Sequence, residues 1–177
     1  MSNWKTYTQL NVSSIGIEIV NRGYEVADAG LPLDQRRWQP YTEAQFHAVA
    51  SLLQSLSNRY QIDPTRILGH SDISVARKVD PGPLFPWRRL ADAGLIRWPD
   101  AAQVASRRGE FERALPDALW FQQQLAKVGF SLAFSGQFDE QTRNVLAAFQ
   151  MKYRPARYDG LADAETAAIL VVLNNIP

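Results

Sequence analysis

Gly69-His70-Ser71-Asp72-Ile73-Ser74-Val75-Ala76-Arg77-Lys78-Val79-Asp80-Pro81-Gly82-Pro83 is the stretch around which the rest of the chain is read. It holds one of the two histidines and ends in a Pro-Gly-Pro turn that stops regular structure. Asp80 follows His70 by ten residues, with Lys78 close before it. A neutral imidazole and a carboxylate are ligand types that hold a catalytic zinc with an open position. A lysine beside them can stabilise an oxyanion that develops nearby. The same residues also fit a solvated loop in which the aspartate only caps and hydrogen-bonds.

Upstream, Arg66-Ile67-Leu68-Gly69 reads as a short buried strand that delivers His70 at its end. Before it, Thr42-Glu43-Ala44-Gln45 has the capping-box pattern. Phe46, Val49, Ala50, Leu53, Leu56 and Tyr60 then recur at helical spacing, which predicts a helix over about 43–60. His47 lies about 100° round from Phe46, off that stripe, so it reads as a solvated helix residue. Residues 22–41, punctuated by Gly23, Gly30, Pro32 and Pro40, read as an irregular excursion. Ser14-Ile15-Gly16-Ile17-Glu18-Ile19-Val20-Asn21 alternates like a strand, with Ile15, Ile17 and Ile19 on one face. Glu18 stands out, a carboxylate in an apolar strand. It is either a buried group with a partner or a residue in water on an edge strand. Downstream of the turn, Pro86, Trp87, Leu90 and Ala91 predict a short helix stopped at Gly94.

Beyond residue 116, Gly136-Gln137-Phe138-Asp139-Glu140-Gln141-Thr142 matches Gly160-Leu161-Ala162-Asp163-Ala164-Glu165-Thr166 as G-x-x-D-x-x-T. Each Asp is placed to cap a helix whose third residue is Thr. An earlier helix, about 117–128, carries Ala118, Phe121, Leu125 and Val128 on one face and ends at Gly129. Three short helices make a small bundle. Residues 99–116, with Pro99, Gly109, Pro116 and a charged patch, read as a linker.

Composition narrows the function. The net charge is +1, which gives no basic case for nucleic acid. There is no cysteine, hence no disulfide framework and no thiolate metal ligand. No apolar run approaches the roughly 18 residues of a membrane span, and the N-terminus lacks the apolar core of a signal peptide.

The string G-H-S-D-I-x(3)-R-K-x-D-P-G-P, with N-x-x-S-I-G-I-E starting at Asn11, resembles the zinc-dependent N-acetylmuramoyl-L-alanine amidases. The resemblance implies His70 and Asp80 as Zn2+ ligands, Glu18 as general base and then acid, and Lys78 as the stabiliser of the oxyanion. Asn11 is read as structural. The region from Leu125 to Phe130, Ser135 to Thr142 and Ala148-Phe149-Gln150 is similar to the peptidoglycan-binding domain type 1 family.

The expected fold is therefore α/β. It has a partial mixed-sheet amidase domain flanked by helices over 1–98, a linker over 99–116, and an all-α three-helix domain over 117–177. The implied function is hydrolysis of the amide between (anhydro-)N-acetylmuramic acid and L-alanine. The partners are peptidoglycan and muropeptides, the state monomeric, and the location the bacterial periplasm or cell envelope. The helical domain would act as a tether to glycan. The family's third zinc ligand, an upstream histidine on a strand, has no counterpart in residues 1–17. Asp72 is only a remote substitute. This implies a chain that begins inside the amidase domain. The alternative function is accordingly a catalytically incompetent, peptidoglycan-binding protein.

Overall fold

The computed structural model describes residues 2–176. Met1 and Pro177, the outer ends of the two expected domains, lie outside them. Among the described residues eight α-helices follow one another: α1 Leu10–Ser13, α2 Glu43–Tyr60, α3 His70–Ile73, α4 Trp87–Asp92, α5 Ala101–Arg113, α6 Ala118–Val128, α7 Glu140–Tyr153 and α8 Ala164–Asn174.

The expected α/β class is incorrect for this structure. Among the described residues there is no sheet, only the isolated antiparallel bridges Trp4–Tyr7 and Tyr24–Trp38. A strand exists by pairing, and a lone extended segment has nothing to complete its ladder. Residues 15–20 are a case in point. Ile17 and Ile19 are half-buried while Ile15, Glu18 and Val20 are exposed, so the predicted alternation survives only over 17–20. Ile19 packs at the edge of a hydrophobic cluster, but no strand lies alongside. The second predicted strand, 66–69, is instead the end of a 3-10 turn, Pro64–Arg66, running into α3.

Helix α2 spans the predicted residues. Thr42 Oγ1 accepts from the Gln45 amide, while the Gln45 side chain accepts from the Thr42 amide, closing the capping box. Its inner face supplies Val49 to a small core with Phe85, Trp87, Leu90, Leu95 and Ile96. The excursion 22–41 folds back on itself. Glu25 N donates to Arg37 O at 3.0 Å and Gln39 N to Gly23 O at 2.7 Å. The buried Asp28 carboxylate accepts both the Arg37 amide and its guanidinium at 2.9 Å.

The larger core belongs to the C-terminal helices and centres on Phe121, Leu125, Leu146, Phe149, Ala167 and Leu170. The repeat read in the sequence is also a repeat of hydrogen bonds. Asp139 caps α7 through the Thr142 amide, and Asp163 caps α8 through the Thr166 amide, both at 2.8 Å. One buried glutamine serves each copy. Gln122 accepts from Gly136 N and donates to Gln137 O and Thr142 Oγ1. Gln150 accepts from Gly160 N and donates to Leu161 O and Thr166 Oγ1. Every polar group of each amide is thus used in the apolar interior, as burial demands. The stretch 99–116, read as a linker, contains α5, capped by Asp100 and packed along α8.

The N-terminal residues and the helical bundle pack together. Trp4 is buried in the bundle core, edge-on to Phe130 at 5.1 Å. Gly129 is where it enters: a Cβ there would sit 2.3 Å from the indole. That position needs glycine for its positive φ of 142° as well.

Candidate active site

His70 and Asp80 meet. His70 Nδ1 lies 3.0 Å from Asp80 Oδ2, and both side chains remain partly open to solvent. Their backbones are fastened together, since Ser71 N donates to Asp80 O at 2.8 Å. Gly69 permits the approach: a Cβ there would lie 2.9 Å from Pro81 Cδ and 3.2 Å from the Trp87 ring. From the other side Tyr41 Oη donates to Pro81 O at 2.9 Å. Burial, together with the Asp80 charge, pushes the Tyr41 phenol above its ordinary pKa, so it stays a donor. Gly82, in a left-handed conformation at φ 82°, passes directly under the Trp38 ring.

Two donors held this way fit two corners of a zinc site. Ligands about 2.0–2.1 Å from one tetrahedral zinc stand roughly 3.3 Å apart, close to the observed separation. The fit stops at two. No group of three or more His, Asp or Glu side chains comes together among the described residues. His47 is exposed on α2 and faces Glu43 at 3.8 Å. Asp72, the remote substitute, is buried and committed elsewhere, accepting from Gly69 N at 2.9 Å and from Lys152 Nζ at 2.8 Å. Lys78 is exposed at the outer end of the same loop, and Glu18 is exposed on the unpaired segment 14–20. Asn11 accepts from Ser2 Oγ at 3.2 Å, near the start of the chain.

Comparison with known proteins gives this loop a family. Residues 2–83 match the family described as N-acetylmuramoyl-L-alanine amidase, and residues 115–170 match the peptidoglycan binding domain. The chain is thus similar to the N-acetylmuramoyl-L-alanine amidase family over residues 2–83. It is 40% identical over 174 residues to the N-acetylmuramoyl-L-alanine amidase AmiD of Escherichia coli (strain K12), covering 98% of this chain and 61% of AmiD. Two solved structures share its course. The crystal structure of AmpDh3 from Pseudomonas aeruginosa in complex with anhydromuramic pentapeptide has a TM-score of 0.87 at 38% identity, covering 98% of this chain and 66% of that one. The complex of E. coli AmiD with anhydro-N-acetylmuramic acid-L-Ala-D-gamma-Glu-L-Lys has a TM-score of 0.85 at 37% identity, covering 98% and 65%. This chain thus spans about three-fifths of the length of AmiD. No helix among its described residues is long and apolar enough to cross a membrane.

Lys152 and Trp4 escaped the sequence reading, and Gly129 was read only as a helix stop. For Lys152 a signal existed. It falls seven residues after Val145 and three after Phe149, on the apolar stripe of α7, where an unpaired lysine is costly.

Proposed function

We propose that this chain is a peptidoglycan amidase that hydrolyses the amide between (anhydro-)N-acetylmuramic acid and L-alanine of the stem peptide. The observation that carries the reading is the His70–Asp80 pair, converged at 3.0 Å on a braced loop, within a segment that matches the amidase family. The ligands in the AmpDh3 and AmiD complexes favour muropeptides as substrates.

In this reading His70 and Asp80 would hold Zn2+, which when bound would supply Lewis acidity. Glu18 would take a proton from the water that adds to the carbonyl carbon and return it to the amine of L-alanine as the carbon–nitrogen bond breaks. Lys78 brings its ammonium to the carbonyl oxygen as negative charge develops there. The organisation is an amidase part over 1–98, a connecting helix within 99–116, and a wall-binding part over 117–177. The chain works as a monomer in the periplasm or cell envelope.

One observation favours the second reading, a wall-binding protein without turnover: two ligands converge among the described residues and no third joins them. Two protein ligands bind and orient a metal poorly. The deciding experiment is zinc stoichiometry of the purified 177-residue chain, with stem-peptide release from an anhydro-muropeptide assayed on the same sample. One-to-one zinc with chelator-sensitive release supports the amidase. No zinc and no release, with retained binding to sacculi, supports the wall-binding protein.

A further inference from the structure

The geometry points to Lys152 and Asp72 as positioning residues: the helical bundle holds the His70–Asp80 loop in its working shape and does not merely tether it. The inference rests on the reading of that loop as the active site.

Lys152 ends α7, in the bundle, yet its ammonium lies beneath the loop. Nζ donates to Asp72 Oδ2 at 2.8 Å and to Ile67 O at 3.3 Å, and sits 4.3 Å from the centre of the Trp87 ring. Both members of the pair are buried, Lys152 at 5% and Asp72 at 2% exposure. The same Asp72 oxygen accepts from Gly69 N. One cation therefore touches the chain on both sides of His70, at Ile67 and at Asp72. It also touches the ring against which Gly69 is packed. Leu68, Ile73 and Val75 complete the contact by packing on the bundle core.

The consequence is mechanical. Ser71 N reaches Asp80 O only while the backbone from Ile67 to Asp72 keeps this course, and that bond brings the imidazole and the Asp80 carboxylate together. A partner that orients a ligand-bearing segment typically accounts for 10–100-fold in metal affinity. Removing Lys152 alone would leave a buried, uncompensated carboxylate and risk the fold. The informative variant is therefore the pair Lys152→Met with Asp72→Asn. It removes both charges together, and the carboxamide oxygen introduced in place of the carboxylate can still accept from Gly69 N.

The test is amide hydrogen exchange on the full chain, wild type and double variant, without added metal. The expected result is about tenfold faster exchange at Ser71 with no change at Phe149, in the bundle core. Unchanged Ser71 exchange overturns the proposal. So does equal acceleration at Ser71 and Phe149, which would mean the pair serves only global stability. Where the wild type binds zinc, the double variant should bind it about 10–100-fold more weakly, and equal affinity would also overturn the proposal. A wild type without zinc removes the metal reading of the loop, while the Ser71 result still decides the positioning role.

Discussion

The loop 69–83 and the segment 14–20 carry the two halves of the proposed chemistry, and they are supported in opposite ways. The loop is fastened by Ser71 to Asp80, by Tyr41 to Pro81 and by Lys152 to Asp72. The segment presents Ile15 at 52% and Val20 at 92% exposure and has no strand beside it. Its tie to the rest runs through the Gln45 side chain, which donates to Val20 O, and through the half-buried Ile17 and Ile19. A reactive pair can be built from a loop whose backbone groups each find a partner. An alternating apolar segment cannot build its own surroundings, because a strand is defined by its neighbour.

The largest effect expected on this contrast comes from His70→Ala. It should abolish zinc binding and stem-peptide release while leaving sacculus binding at the wild-type level, measured by metal analysis and a pull-down on the same preparation. Release that survives would remove the loop from the chemistry. Glu18→Gln tests the other half: kcat should fall by about 10²–10⁴-fold with zinc content unchanged. A rate within threefold of wild type would leave segment 14–20 without a chemical role. Lys78→Met should lower kcat by roughly 10²–10³-fold with KM little changed, separating charge stabilisation from substrate holding.

A stability measurement sharpens the comparison. Gln150→Leu removes the side-chain partner of Gly160 N and Leu161 O in the bundle and should cost about 1–3 kcal/mol in denaturant unfolding. Because the bundle braces the loop, Ser71 exchange should quicken with it, whereas amides at 15–20 should already exchange near the unprotected rate. The smallest effect concerns the excursion 22–41. Hydrogen bonds from the Arg37 side chain and amide lower the Asp28 pKa from 3.8 to about 2. A depressed carboxylate contributes its stability fully above the unfolded value, and the contribution is lost as pH falls through the folded one. The Trp38 indole, which donates to Leu33 O, should therefore keep its NMR shift down to about pH 4 and move between there and about pH 2. A Trp38 signal that moves above pH 5 would contradict the Asp28–Arg37 clasp.

At alkaline pH the interlock behaves in the opposite sense. Burial pushes the Lys152 ammonium down, but the Asp72 and Tyr153 charges and the hydrogen bond to Asp72 outweigh it, so its pKa is raised above 10.5. Its stabilisation is complete below the unfolded value and is lost only as pH rises through the raised one.

Much of this molecule was decided locally. The capping box at Thr42, the Asp139 and Asp163 caps and the Gly129 stop depend on residues within a few positions of each other, so sequence alone determined α2, α6, α7 and α8 and the repeat between the last two. The G-H-S-D loop was legible for the same reason, its partners being ten residues apart. Tertiary structure decided what local chemistry could not. It left residues 14–20 without a sheet, although 17–20 still alternate. It turned Asp72 from a candidate ligand into the partner of Lys152, 80 residues away, and seated Trp4 in a core formed by residues after 117. Pairing and burial are properties of two segments brought together, and neither segment's own pattern specifies the other.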